Sequence, residues 1–256
     1  MRVAWEILTD AELERVDREA LRLVGQVGLE VLNPNLRDLL AKRGAIVDGE
    51  RVRFPAELVR WALSVAPRRF TLYGRDGYEY PVAPGESYFS VYSDALFITD
   101  FGSREQRPST KQDVVNFVRL ADALPSIDKV PNPCHAQNVP EGTGLLHTLE
   151  AVLGNTLKLQ SFAPQNVAEV EIACEMATIA NGGQPVAERP IFSSGVSTTS
   201  PLMLDHDSAA ILMFLARARI PFITAPCPMS GGTSPLSLMG TLLMQAAENL
   251  ALITMA

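Results

Sequence analysis

Three cysteines, Cys134, Cys174 and Cys227, are all that the chain holds in 256 residues. So odd and widely spaced a set argues against a disulfide framework and fits free thiols in a reducing cytoplasm. No basic cluster is present and the formal charge is −7, so the electrostatic footprint of a nucleic-acid-binding protein is missing. No apolar run is long and unbroken enough to span a bilayer, which argues against a membrane partner. The N-terminus becomes charged too soon for a secretory signal peptide. G-x-G-x-x-G and P-loop patterns are absent from the loops, which removes the usual dinucleotide and nucleotide signatures. What is left is a chain with 47% apolar residues, ordinary for a globular enzyme and too apolar for a disordered segment.

The first part reads as helical. Thr9 with Glu12 makes a capping-box pattern ahead of an amphipathic run through Leu13, Val16, Ala20, Leu23 and Val24. A second helix is expected over residues 34–43, closed by Gly44, and a third over 55–65 with Pro55 in its first turn. Residues 70–99 hold short β-type runs, at 70–73, 88–92 and 96–99, broken by Gly74, Gly77 and Pro84-Gly85, which reads as hairpins. From about residue 110 the rhythm changes. A helix over 111–124 leads to strands at 127–131, 157–163, 190–195 and 220–225, followed in turn by amphipathic helices at 143–153, 168–180, 207–217 and 236–255. The repeat is roughly 30 residues, the size of a βα unit, and Phe162, Phe192 and Phe222 keep that spacing.

Short apolar strands alternating with longer helices imply a parallel sheet covered by helices. An open doubly wound sheet and a (β/α)8 barrel both fit. Four units are half of a barrel of roughly 250 residues, and the last helix reaches residue 256 still apolar, with no stop signal. The expectation is therefore an α/β chain. Residues 1–109 form a helical and β-hairpin extension, and residues 110–256 the first half, about four βα units, of an incomplete (β/α)8 TIM barrel.

In either architecture ligands meet the C-terminal ends of the strands. Four loops qualify: 132–138 (NPCHAQN), 163–166 (APQN), 195–201 (GVSTTSP) and 226–235 (PCPMSGGTSP). All are polar, uncharged and rich in Pro and small residues, so they suit hydrogen-bonded orientation of a substrate better than proton transfer. His135 reads either as a substrate ligand or general acid/base, or as a structural histidine bonding a loop carbonyl. Gln165, Ser197 and Thr198 are substrate contacts or loop caps. Met229, Gly231, Gly232 and Thr233 belong to a loop whose amides either cradle an anion or close a tight turn. The three phenylalanines are either part of a cage around a cation or plain core.

His147 reads as a helix residue, and Asp205-His206-Asp207 as a helix start. Cys134, His135 and Cys227 have zinc-competent side chains without zinc-site spacing, so no metal is expected, and Cys174 reads as core. Glu248 reads as a polar residue on a terminal helix that packs on a neighbour outside the chain. No catalytic residue is assigned.

Several of these segments together resemble the trimethylamine/glycine betaine methyltransferase family. They are VGLEV at 27–31, GAIVD at 44–48, VRFP at 52–55, Ala66-Pro67, YGRD at 73–76, the helix start at 205–207 and IPF at 220–222. Most specific is PMSGGTSP at 228–235 with QAAE following at 245–248. The similarity covers most of the chain but only the first half or so of a member.

The resemblance implies a TIM barrel behind an N-terminal extension. It implies transfer of a methyl group from a tertiary or quaternary amine, such as trimethylamine or glycine betaine, to the cob(I)alamin of a partner corrinoid protein. The chain itself then binds no cofactor directly, and a homo-oligomer is compatible. Trimethylamine members carry pyrrolysine later in the barrel and glycine betaine members lack it; that position lies past Ala256. Two other readings stand beside this one. A TIM-barrel enzyme of lyase or aldolase type needs a lysine or metal carboxylates at strand ends, whereas Lys129 and Lys158 fall early in their strands. An inactive fragment or a binding module has bare sheet edges and an uncovered core face, and is expected to aggregate or dimerise.

Overall fold

The reciprocal cap expected at Thr9 is present. Its Oγ1 accepts from the Glu12 amide at 3.3 Å and the Glu12 carboxylate accepts from the Thr9 amide at 2.8 Å, and α1 (Asp10–Gln26) follows. The structure, a computed structural model, describes residues 7–256. After α1 come β1 (Leu29–Val31), α2 (Pro34–Lys42), β2 (Ile46–Asp48), β3 (Arg51–Arg53) and α3 (Ala56–Val65). Two hairpins follow: β4 (Phe70–Tyr73) with β5 (Glu79–Val82), and β6 (Phe97–Thr99) with β7 (Gln106–Pro108). Strands and helices then alternate as the sequence implies. They are α4 (Lys111–Ala123), β8 (Lys129–Pro131), α5 (Gly144–Asn155), β9 (Leu159–Phe162), α6 (Val167–Ala180) and β10 (Phe192–Val196). The last are β11 (Met203–Leu204), α7 (His206–Ala218), β12 (Phe222–Thr224) and α8 (Leu238–Met255).

These elements form two compact units, neither continuous in sequence. The first takes the N-terminal residues up to Ala66 with Val196–Met213 and Thr224–Ala256. Its sheet has the order β11-β1-β3-β2. Sequence reading expects only helices before residue 70, because strands of two or three residues show no usable period. Here β1 pairs antiparallel with β3 and parallel with the distant β11. Gly28 makes the turn from α1 into β1 with φ +70°, and a Cβ added there would lie 2.1 Å from the Val52 carbonyl oxygen. Helix α8 packs on α1 and α3 and buries Ala247, Glu248, Ala251, Leu252 and Met255. By length and composition alone α8 is apolar enough to cross a membrane, which corrects the expectation that no run qualifies.

The second unit, Pro67–Gly195 with Phe214–Ile223, contains the mixed α/β fold's parallel strands. The sheet order is β12-β10-β9-β8, and β8, β9 and β10 run parallel with Val130, Gln160 and Phe192 in register. The sheet is open, and no closed barrel forms among the described residues. Alternation along a strand puts Val130, Gln160, Phe162, Phe192 and Ser194 on one face. Val130 packs with Val114 and Val118 of α4 and with Ala151 and Val152 of α5. That face therefore meets the helices. Phe162 and Phe192 are buried core there, not walls of a cation cage, and Phe222 is half-buried.

Residues 88–92 are not a hairpin strand. Ser90 and Ala95 instead bridge Lys129 and Cys134 in parallel along the outer edge of β8, and the Asp94 amide donates to Asn132 O at 2.8 Å. An unpaired strand edge offers donors and acceptors that a local pattern does not reveal.

The YGRD turn has a physical explanation. Arg75 donates from Nε to Ala180 O at 3.0 Å and from Nη1 to Leu153 O and Thr156 O, so one guanidinium caps the C-terminal ends of α5 and α6. Gly74 precedes it because a Cβ would lie 3.1 Å from Leu157 O. Lys158 does the same for α4, its Nζ donating to Ala121 O at 2.9 Å and Leu124 O at 2.7 Å.

At the start of α4 the signs reverse. Arg107 grips both oxygens of Asp113 at 2.7 and 2.9 Å and also holds Asp100, while Asp113 closes a capping box with Thr110. The Arg107 guanidinium holds the Asp113 carboxyl far below the usual carboxylate range, against the opposing effect of burial. A depressed folded pKa gives stability that is complete above the ordinary value of about 3.9 and is lost as pH falls through the folded value. Asp113→Asn is expected to cost roughly 1–3 kcal/mol at neutral pH and to flatten the fall of the thermal midpoint below pH ~4. Parallel midpoint curves for the two chains, followed by circular dichroism, would exclude this.

Candidate functional site

The second unit holds His135 and Gln165. His135 lies in the loop after β8, where its amide donates to Ala95 O at 3.2 Å and its carbonyl accepts from Ser109 Oγ at 2.7 Å. The backbone thus makes the loop's structural bonds. The imidazole, 23% exposed, sets Nε2 3.4 Å from Asp94 Oδ1. A ring beside a carboxylate can carry a proton or hold an N–H in a fixed direction. Nothing in the sequence pattern marks Asp94; it reaches His135 because residues 88–95 line β8 in parallel.

Gln165 is exposed, and its amide donates to Glu169 Oε2 at 2.7 Å beside Asn166, the N-cap of α6. Cys134 and Cys174 are thiols that burial pushes up to about 11, so neither is a ready thiolate at neutral pH. His147 sits on α5, 3.1 Å from Lys111 Nζ and 3.3 Å from Glu150 Oε2. Sequence reasoning also missed a group of buried polar atoms. Both amide atoms of Gln160, the hydroxyls of Ser193 and Ser194, and Asn132 Oδ1 have no partner among the described residues.

The first unit holds Ser197, Thr198, Met229, Gly231, Gly232 and Thr233. Ser197 is exposed and donates through Oγ to Ala225 O at 2.7 Å. Thr198, only 8% exposed, donates to Glu248 Oε2 at 2.7 Å. Ser200 donates to the same oxygen at 2.8 Å, and the Leu202 amide to Glu248 Oε1 at 2.8 Å. Glu248 therefore needs no neighbour outside the chain, which corrects its reading from sequence. The available signal was that it is the one charged residue in the 18 of α8.

The 226–235 loop is a closed turn. Three amides, of Gly232, Thr233 and Ser234, donate to Met229 O at 3.0 Å, and the Gly231 amide to Ser234 O. Thr233 Oγ1 accepts from the Met229 amide at 2.8 Å. With these amides engaged inside the loop, the anion-cradle reading loses its donors. The Met229 side chain stays 63% exposed. Asp205 accepts from the Ser208 amide at 2.8 Å at the start of α7, the capping role expected of that run.

The family model described as trimethylamine methyltransferase (MTTB) matches residues 2–256. The chain is 29% identical to trimethylamine methyltransferase MttB of Desulfitobacterium hafniense, over 97% of this chain and 51% of that protein. It is 31% identical to glycine betaine methyltransferase of D. hafniense strain Y51, over 98% of this chain and 53% of the relative. Against trimethylamine methyltransferase MttB1 of Methanosarcina acetivorans the identity is 29%, over 99% and 53%. The chain thus spans about half the length of the curated relatives it matches. The crystal structure of Methanosarcina barkeri monomethylamine methyltransferase (MtmB) superposes with a TM-score of 0.57 over 95% of this chain and 51% of that one. At 16% identity this likeness bears on the fold alone.

Proposed function

The chain belongs to the trimethylamine methyltransferase family, and on that premise we propose that the complete protein moves a methyl group from a tertiary or quaternary amine to the cobalt(I) of a corrinoid carried by a partner protein. The observation that carries this reading is the family match across residues 2–256. The open parallel sheet is read as part of a (β/α)8 barrel that further chain, of the length the relatives have, would complete.

The strand-end chemistry suits the reaction. A quaternary ammonium has no proton at nitrogen to remove, and an in-line methyl displacement asks the protein to hold the donor and exclude water. The corrinoid supplies the nucleophile when it is bound. In the first unit Ser197, Thr198 and Met229 offer hydroxyl oxygens and a thioether, contacts that orient N-methyl groups without acting as bases. Taken by itself, the second unit offers His135 beside Asp94 as a polar contact at the end of β8. A cobalt(I) corrinoid and free thiols both persist in a reducing compartment, which supports a cytoplasmic setting for the reaction.

The lyase or aldolase reading is disfavoured because no lysine stands at the C-terminal strand ends among the described residues. Lys158 is engaged in capping α4, and Lys129 opens β8.

The test is methyl transfer from trimethylamine, glycine betaine and related amines, followed by the absorbance change of the reduced corrinoid. Transfer is expected only with the corrinoid protein and a reductant present. Equal demethylation without the corrinoid partner would overturn the proposal.

A further inference from the structure

Glu248 is 0% exposed in the middle of α8. Burying a carboxylate is costly unless its lone pairs are satisfied. Here three neutral donors satisfy it, and all come from the five residues 198–202: Thr198 Oγ1 and Ser200 Oγ on Oε2, and the Leu202 amide on Oε1. Leu202 accepts a left-handed φ of 53° within this stretch, and Thr199 closes it by donating to Met203 O at 2.8 Å.

An ionised carboxylate can only accept, so the hydroxyls of Thr198 and Ser200 must aim their protons at Glu248. Ser197 likewise aims its proton inward, at Ala225 O. Thr198 is buried, but Ser197 is exposed and Ser200 part-exposed, so the oxygen lone pairs of these two are left for other partners, with the buried carboxylate behind Ser200. A methylated ammonium spreads its positive charge over its methyl hydrogens and accepts no hydrogen bond. It is complementary to such a surface, whereas a neutral molecule of the same shape gains nothing from it.

We propose that Glu248 is a positioning residue. It holds the 198–202 loop, fixes the direction of its hydroxyls, and so makes this part of the first unit selective for a cationic N-methyl ligand. The inference rests on the amine reading above.

Choline and its neutral carbon isostere, 3,3-dimethylbutan-1-ol, separate charge from shape, and calorimetric titration of the whole chain reads both. Glu248→Gln keeps the side chain's shape. Its Oε1 can still accept from Leu202, but its Nε2 donates to the hydroxyls and reverses them. The unmodified chain is expected to bind choline at least about tenfold more tightly than the isostere. Glu248→Gln is expected to lower choline affinity about tenfold and leave the isostere unchanged. Ser200→Ala, at a part-exposed position, is expected to lower choline affinity about threefold without touching the isostere, which keeps the inference testable if the Gln variant fails to fold.

An equal loss for both probes would reduce Glu248 to a purely structural role and overturn the inference. So would unchanged choline binding in both variants, with the amine reading left standing. An unmodified chain that binds neither probe overturns the inference, whereas the amine reading stands or falls by the corrinoid-dependent methyl-transfer assay.

Discussion

Gly28→Ala is expected to destabilise the first unit by roughly 3–5 kcal/mol or to prevent its folding. Two costs combine. The residue sits at φ +70°, where an L side chain crowds its own backbone at roughly 1–2 kcal/mol. The new Cβ would also lie 2.1 Å from Val52 O and 2.7 Å from Val52 C, and neither backbone atom can move alone. Val52 pairs with Leu29 between β1 and β3, and β1 in turn pairs with β11, so relief on one side breaks register on the other. The Gly28 amide also donates to Leu23 O at 3.1 Å, ending α1. Gly44→Ala is the control. Its φ is +97° but nothing lies within 4 Å of the added Cβ. It should show the conformational cost of about 1–2 kcal/mol alone. Urea denaturation of both variants decides the point, and equal losses would mean that the Val52 contact relaxes at no cost.

Replacing Glu248 by Ala is the second large effect expected, a loss of about 3–5 kcal/mol. The variant leaves two hydroxyls and the Leu202 amide without their acceptor in a buried place, and a cavity beside Ala247, Ala251 and Leu252. The Leu202 amide should then exchange with solvent at least about tenfold faster, because local opening no longer has to break its bond. Glu248→Gln, which can still accept from Leu202, should keep that amide protected. A Glu248→Ala chain with the unmodified thermal midpoint and a protected Leu202 amide would show that the clamp contributes little.

The helices were largely legible in advance because their signals are local. Thr9 with Glu12 and Gly44 after α2 each act within about a turn of helix, by bonding amides or carbonyls that any helix end leaves open. The alternation from residue 110 onward was legible because apolar strands and amphipathic helices repeat at the length of a βα unit. The three-residue strands β1, β2 and β3 were hidden, since their pairing is decided by β11 and by close packing at Gly28 rather than by any period.

The candidate residues divide in the same way. Residue type marked His135, Ser197 and Thr198 as candidates, and the capping role of Asp205 could be read from its place at a helix start. That Asp94 stands 3.4 Å from the His135 ring, and that Glu248 gathers three donors from one loop, depends on partners tens of residues away. What the sequence determined by itself is where helices start and stop, the βα rhythm and the family. Tertiary structure alone decided which buried charge meets which donor and which strand edge is covered. Those choices depend on long-range burial and hydrogen-bond satisfaction, which no local stretch of residues encodes.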